Sequence, residues 1–180
     1  DYKYMCLFTI TSLIHHCGRC VGLKLKATFD SPFMYGTDTI TTVNVGAKEK
    51  KEFVVVNKSD ETPAVKYTNP KMEITFDGIT GTNDTCVKII NKKDDISRVF
   101  ELKIPDGIKK VIVDNQQKTI EMYGGSNGEV FKAGLCLEYL IGKKWLRLLS
   151  GKNAMEVRVE NYDNPTTIKI TCPQYIKIRY

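Results

Sequence analysis

The segment His15-His16-Cys17-Gly18-Arg19-Cys20 gathers both histidines of the chain around a Cys-x-x-Cys pair. Such a pair is the usual half of a structural zinc site, in which four nitrogen or sulfur ligands close a tetrahedron. Neighbouring residues on a strand point to opposite faces, so only one of the two histidines joins the cysteines easily. Cys17, Cys20 and His16 are the residues that would hold a metal. No second Cys-x-x-Cys and no His-x-x-x-His completes the set. A redox role would want the pair at a helix N-terminus in a βαβ setting, and here both flanks read as strand. Ordinary thiols in a loop are therefore favoured, and no metal or cofactor is expected.

Other chemistry finds less to work with. His15 or His16 would have to be the base of any hydrolytic triad, and no Gly-x-Ser-x-Gly elbow is present. Carboxylates such as Asp94, Asp95, Asp106, Asp114 and Asp163 fall in turns, where Asp bonds the local backbone. The run Gly124-Gly125-Ser126-Asn127-Gly128 leads into Glu129-Val130-Phe131, which reads as strand. A phosphate-cradling loop needs a helix at that point. No catalytic residue is assigned, and the chain reads as a scaffold or binding module rather than an enzyme. Tyr123, Tyr139, Trp145 and Tyr162 could form a sugar-stacking face, although such aromatics more often belong to a core or an interface.

The elements that must position these residues are strands. Short β-branched segments alternate apolar and polar residues and close on polar turns, as in an antiparallel β-sandwich. Gly22–Phe29 alternates with period two and reads as half-buried. It runs into Asp30-Ser31-Pro32, where Pro cannot donate to a ladder. Further strands are expected at 39–45, 51–56, 64–68, 72–76, 85–90, 98–104, 110–114, 118–122, 153–159 and 166–172, and the alternating end at 175–180 closes the chain. Pro105-Asp106-Gly107 presets a turn and supplies the positive φ that follows. Over 135–149, Leu137, Ile141, Trp145 and Leu148 are spaced for one helical face, but Gly142 interrupts them. A short helix or a strand–loop–strand is expected there. Two strands end alike, in Asn57-Lys58-Ser59-Asp60 and Asn91-Lys92-Lys93-Asp94. Because the sequence between them does not match, this reads as one turn chemistry used twice rather than a repeat.

The bulk figures fit that frame. A 180-residue chain with 42% hydrophobic and 27% charged residues can bury a real core in about one domain. No apolar run approaches the roughly 18–20 residues needed to span a bilayer, so no membrane partner is expected. The +6 net charge, from 27 basic and 21 acidic residues, is spread along the chain and mixed in sign. Lysine at strand edges and turns discourages aggregation, and nucleic-acid binding is not expected. The six cysteines are irregularly spaced and read as reduced thiols of a protein folded in a reducing cytoplasm. No signal peptide is recognised, and the chain starting at Asp1 reads as part of a longer one.

Several motifs then stand in a telling order. A strand ends in Thr28-Phe29-Asp30-Ser31-Pro32-Phe33-Met34-Tyr35. An apolar strand ends at Asn57, before an acidic turn and Thr62-Pro63. Ile104-Pro105-Asp106-Gly107 leads into Val111-Ile112-Val113-Asp114, and Leu149-Ser150-Gly151-Lys152-Asn153 leads into an alternating strand. In this the chain resembles the distal tail protein family of long-tailed phages that infect Gram-positive bacteria, over about residues 20–180. The resemblance implies an all-β fold: residues 1–36 as the end of an N-terminal ring-forming β domain, 37–171 as a galectin-like antiparallel β-sandwich, and 172–180 as a closing strand. It implies a structural virion protein, a hub or adaptor joining tail tube to baseplate or tail tip. Copies would close into a homo-oligomeric, hexameric ring, assembled in the host bacterial cytoplasm. Its partners would be the tail tube protein and the tail tip or baseplate proteins. The His-His-Cys-x-x-Cys segment is no part of that pattern. A carbohydrate-binding sandwich for attachment to a host surface is the alternative, and a small β protein stabilised by metal at Cys17, Cys20 and one histidine is a third.

Overall fold

A computed structural model describes residues 6–29, 33–60, 66–81, 84–124, 129–132, 134 and 136–177. Every regular element among them is a strand, and the strands pair antiparallel. In chain order they are β1 Cys6–His16, β2 Arg19–Phe29, β3 Phe33–Val45, β4 Lys50–Asn57, β5 Lys71–Phe76, β6 Thr85–Asn91 and β7 Val99–Ile104. Then come β8 Ile108–Asp114, β9 Thr119–Gly124, β10 Glu129–Lys132, β11 Leu140–Ile141, β12 Gly151–Glu160 and β13 Thr166–Lys177.

Two sheets form a sandwich. One has six strands in the order β10-β9-β8-β5-β13-β3, the other five in the order β11-β7-β6-β12-β4. Period-two alternation gives each sheet an apolar inner face. Met72, Ile74 and Phe76 on β5 face the core beside Ile168 and Ile170 on β13, all at most 1% exposed. Val87 and Ile89 on β6, Phe100 and Leu102 on β7, and Met155 and Val157 on β12 supply the facing layer. The outward positions of the five-stranded sheet carry alternating charge. Lys88 pairs with Glu101 and Glu160, and Lys92 with Glu52 and Glu156. Such exposed pairs are screened by water and add little stability, but they keep the face soluble.

The two Asn-Lys-x-Asp turns prove to be equivalent devices at one end of one sheet. β4 and β6 both pair with β12, on its two sides, and so run parallel to each other. Asn57 Oδ1 accepts the Ser59 backbone N–H at 3.0 Å, and Asn91 Oδ1 accepts that of Lys93 at 3.1 Å. Both asparagines are 2% exposed. Each side-chain amide then donates across the chain, Asn57 to Thr68 and the Leu148 carbonyl, Asn91 to Asn153 and the Arg147 carbonyl. A buried amide needs such partners, which is why Asn sits where the strand pattern calls for an apolar residue.

The segment 136–150 corrects one expectation, the short helix. Its 3–4 spacing of apolar residues is that of an irregular chain laid against the core. Cys136 (φ 39), Gly142 (φ 66) and Lys143 (φ 50) are left-handed, which no helix tolerates. The segment makes only the two-residue β11 against β7, then buries Trp145, Leu146 and Leu148. Thr68 and Leu148 exchange backbone bonds of 2.9 and 2.8 Å in an isolated bridge. This is the strand–loop–strand alternative. The strand expected at 64–68 reduces, in its described part, to that single residue. Pro105-Asp106-Gly107 forms the expected turn, with Gly107 at φ 78. Buried Thr80 plugs it: its hydroxyl donates to the Pro105 carbonyl at 2.7 Å and accepts the Ile108 N–H at 2.9 Å. The turn residues 30–32, the glycine-rich loop at 125–128 and the last residues 178–180 lie outside the described residues.

β3 and β13 pair along almost their whole length, from Val45↔Thr166 to Phe33↔Lys177. The positions expected as domain boundaries, 36/37 and 171/172, fall inside this ladder. Its one irregularity lies between Cys172 and Gln174, opposite 37 and 38, where Pro173 has no N–H to donate.

Candidate functional site, an exposed apolar hairpin

β1 and β2 pair only with each other. The chain turns between them through Cys17 (φ 48) and Gly18 (φ 73), with His16 opposite Arg19. Two consecutive positive φ values in a two-residue loop make a type I′ turn, whose twist matches that of the strands. Gly18 is the residue that takes the second position without strain. The Cys-x-x-Cys motif is thus a hairpin tip. Cys17 sits in the turn, while Cys20 stands on the rung opposite His15 and donates weakly to the Gly22 carbonyl at 3.5 Å. The histidine that shares a rung with Cys20 is His15; His16 pairs with Arg19. Cys17, Cys20 and the two histidines are exposed, and no group of three potential metal ligands converges among the described residues.

The register sorts the hairpin into two faces. Phe8↔Ala27, Ile10↔Leu25 and Leu13↔Leu23 are directly paired, so these six side chains share one face with Cys6. Lys24 and Lys26 lie on the other face with Thr9, Ser12 and Thr28. A bulge keeps the apolar face continuous. Thr11 is an extra residue between the Ile10 and Ser12 rungs, and its hydroxyl donates to the Lys24 carbonyl at 3.0 Å. Without it, strict alternation would turn Leu13 to the lysine side.

Nothing among the described residues covers that face. Phe8, Ile10, Leu13, Leu23 and Leu25 are exposed by between 52% and 65%. The reading of Gly22–Phe29 as half-buried is corrected here: alternation reveals an apolar side but not what lies against it. A contiguous apolar surface of this kind marks an interaction site.

The remaining expected site residues are dispersed. Trp145 and Tyr162 are core residues; Tyr162 packs edge-on against Phe76 at 5.1 Å, and its hydroxyl donates to the Asp77 carbonyl at 2.6 Å. Tyr139 packs partly buried against the same core, and Tyr123 stands on the outer face of the six-stranded sheet. The four aromatics therefore do not form one stacking face. The turn carboxylates do what turn carboxylates do. Asp95 accepts the Ser97 N–H, and Asp114 those of Gln116 and Gln117. Asp163 pairs with Lys48, while Asp94 is bound in two places by Arg147. That bond pulls the Asp94 carboxyl below its ordinary range. Burial pushes the thiols of Cys86 and Cys172 up to about 12 and about 11, so neither is a nucleophile near neutrality.

No family model matches the chain, and no curated protein does. Among solved structures it is similar to the crystal structure of SPP1 Dit, titled a paradigm of the hub adsorption apparatus in Gram-positive-infecting phages. The TM-score is 0.49 and the identity 15%, over 96% of this chain and 58% of that one. The chain thus spans little more than half the length of that protein.

Proposed function

We propose that this chain is a non-enzymatic structural component of a phage tail, a hub or adaptor whose copies associate through the β1–β2 hairpin. The observation that carries the reading is the uncovered apolar face of Phe8, Ile10, Leu13, Leu23, Leu25 and Ala27. A monomer that leaves those residues in water forgoes roughly 1 kcal/mol for each large side chain, given that full burial is worth about 1.5–3 kcal/mol and each is already partly covered. Seating the hairpin on a neighbouring copy recovers that energy. A hairpin bound to a different patch of the next copy is a head-to-tail contact, and repeated rotation of such a contact closes a ring. The ordered motifs from Thr28-Phe29 to Leu149–Asn153 support a distal-tail role, with a hexamer as the ring and tail tube and tip proteins above and below it.

In this reading residues 1–36 belong to the ring-forming part and the sandwich projects from it. The long β3–β13 ladder, with its irregularity at Pro173, carries the chain from one to the other. The virion is the place of action and the host cytoplasm the place of assembly. Negative-stain electron microscopy of the purified full-length protein tests this. Closed rings with a central opening are expected; uniformly single particles at high protein concentration would refute it.

A further inference from the structure

We propose that the outer face of the six-stranded sheet holds a saccharide site, a shallow groove lined by Thr75, Lys109, Lys110, Ile112 and Tyr123, suited to an acidic sugar ring.

The groove is assembled by register. Thr75, Lys110 and Tyr123 form one rung across β5, β8 and β9, and Glu73, Ile112 and Glu121 the next. A bulge then adds a residue that alternation would deny. Ile108 pairs with Gly124 and Lys110 with Tyr123, so Lys109 is extra and joins Lys110 at the groove. Bulges that re-aim a side chain are common beside binding sites.

The chemistry of the wall selects the ligand. The Tyr123 ring is fixed by its hydroxyl, which donates to a Glu121 carboxylate oxygen at 2.7 Å. With Ile112 beside it, the ring offers a flat apolar surface to the C–H face of a pyranose. Lys110 and Glu73 form an ion pair at 3.0 Å along one side. A donor and an acceptor held together in this way match the vicinal hydroxyls of a sugar, each of which both donates and accepts. Lys109 is exposed and has no ion-pair partner among the described residues. It is the cation available to a ligand carboxylate. A bare inorganic anion fits less well, because it has no C–H face to lay against Tyr123 and Ile112.

Titration of the isotopically labelled full chain, followed by amide chemical shifts, tests the proposal. The probes are glucuronate, methyl glucopyranoside and inorganic phosphate. Glucuronate should shift Thr75, Lys110, Ile112 and Tyr123 with a Kd of about 1 mM, the range open to a ligand of this size in an open groove. The neutral glucoside should bind the same amides more weakly by roughly twofold to fivefold, as an exposed charge contact allows. Lys109→Ala should remove that difference. Tyr123→Ala should weaken both sugars by about fivefold or more, while Tyr123→Phe, which keeps the ring and carries little folding risk, should retain most of the binding. The proposal is overturned by the absence of shifts at these amides, by equal shifts with phosphate, or by sugar binding that Lys109→Ala leaves unaltered. The site is independent of hairpin-driven association, so Leu25→Glu should leave these titrations unchanged whether or not rings form.

Discussion

Asn91 and Asn153 meet side chain to side chain inside the five-stranded sheet, the Asn91 Nδ2 donating to Asn153 Oδ1 at 3.0 Å with both residues at most 2% exposed. Asn153 also accepts the Leu149 N–H at 3.0 Å and donates to the carbonyls of Leu149 at 2.8 Å and Gly151 at 3.0 Å. One amide thus holds the entry to β12 and the end of β6 together. Asn153→Ala would strand several buried groups, each costing about 1–3 kcal/mol, so a loss of roughly 3 kcal/mol is expected. Asn153→Asp should be nearly as harmful despite its shape, because a carboxylate cannot donate to those two carbonyls. Urea denaturation measures both, and a loss under about 1 kcal/mol for either would contradict the assigned network.

Arg147 is clamped between Asp94, with contacts of 2.7 and 2.9 Å, and the face of Tyr67, 3.8 Å from the ring centroid. The Arg147 hydrogen bonds lower the Asp94 pKa, so the folded state favours the ionised carboxyl. The stability this gives is full above the ordinary carboxylate pKa near 3.8 and disappears as pH falls through the lower folded value. Asp94→Asn should cost about 2 kcal/mol at neutral pH, in line with charge-assisted bonds, and the difference from wild type should shrink as pH drops below 4. Thermal unfolding at a series of pH values checks the sign. A gap that widens in acid would be the wrong one.

The cysteines should divide by reactivity. Cys6, Cys17 and Cys20 are exposed on the hairpin, whereas Cys86 and Cys172 are buried with thiols raised to about 12 and about 11. A disulfide reagent at pH 8 should label the first three in the native monomer and reach the other two only in denaturant. The raised pair also sets an alkaline limit. Their contribution is intact below the unfolded thiol value near 9.0 and is lost as pH climbs through 11 to 12, because the unfolded chain ionises first. Rapid native labelling of Cys86 at pH 8 would contradict the burial assigned to it.

Much of the sandwich was legible because its strands obey period two with little interruption. Met72–Phe76 and Lys110–Asp114 alternate cleanly, and the Asn57 and Asn91 turns announce themselves by composition. The segment around Trp145 was legible only as two alternatives, a short helix or a strand–loop–strand. Spacing alone cannot tell an amphipathic helix from a chain laid over a core, and the left-handed Cys136 and Lys143 leave no mark in composition. The hairpin was half visible: β2 alternates, but the bulge at Thr11 breaks the pattern in β1, and sequence cannot show that an apolar face stands uncovered. The groove at Tyr123 was invisible for a related reason. It exists only through cross-strand register and the extra residue Lys109.

The hairpin face separates association from folding. Leu25 is 55% exposed in the single chain, so Leu25→Glu should change its unfolding free energy by no more than about 0.5 kcal/mol. If copies join through the face that Leu25 shares with Phe8, Ile10 and Leu13, the same substitution should abolish assembly. Native mass measurement of wild type and Leu25→Glu, side by side at one concentration, tests this most directly. A closed multimer for wild type and a folded monomer for the variant is the predicted result; identical masses for the two, whether monomeric or assembled, would contradict it.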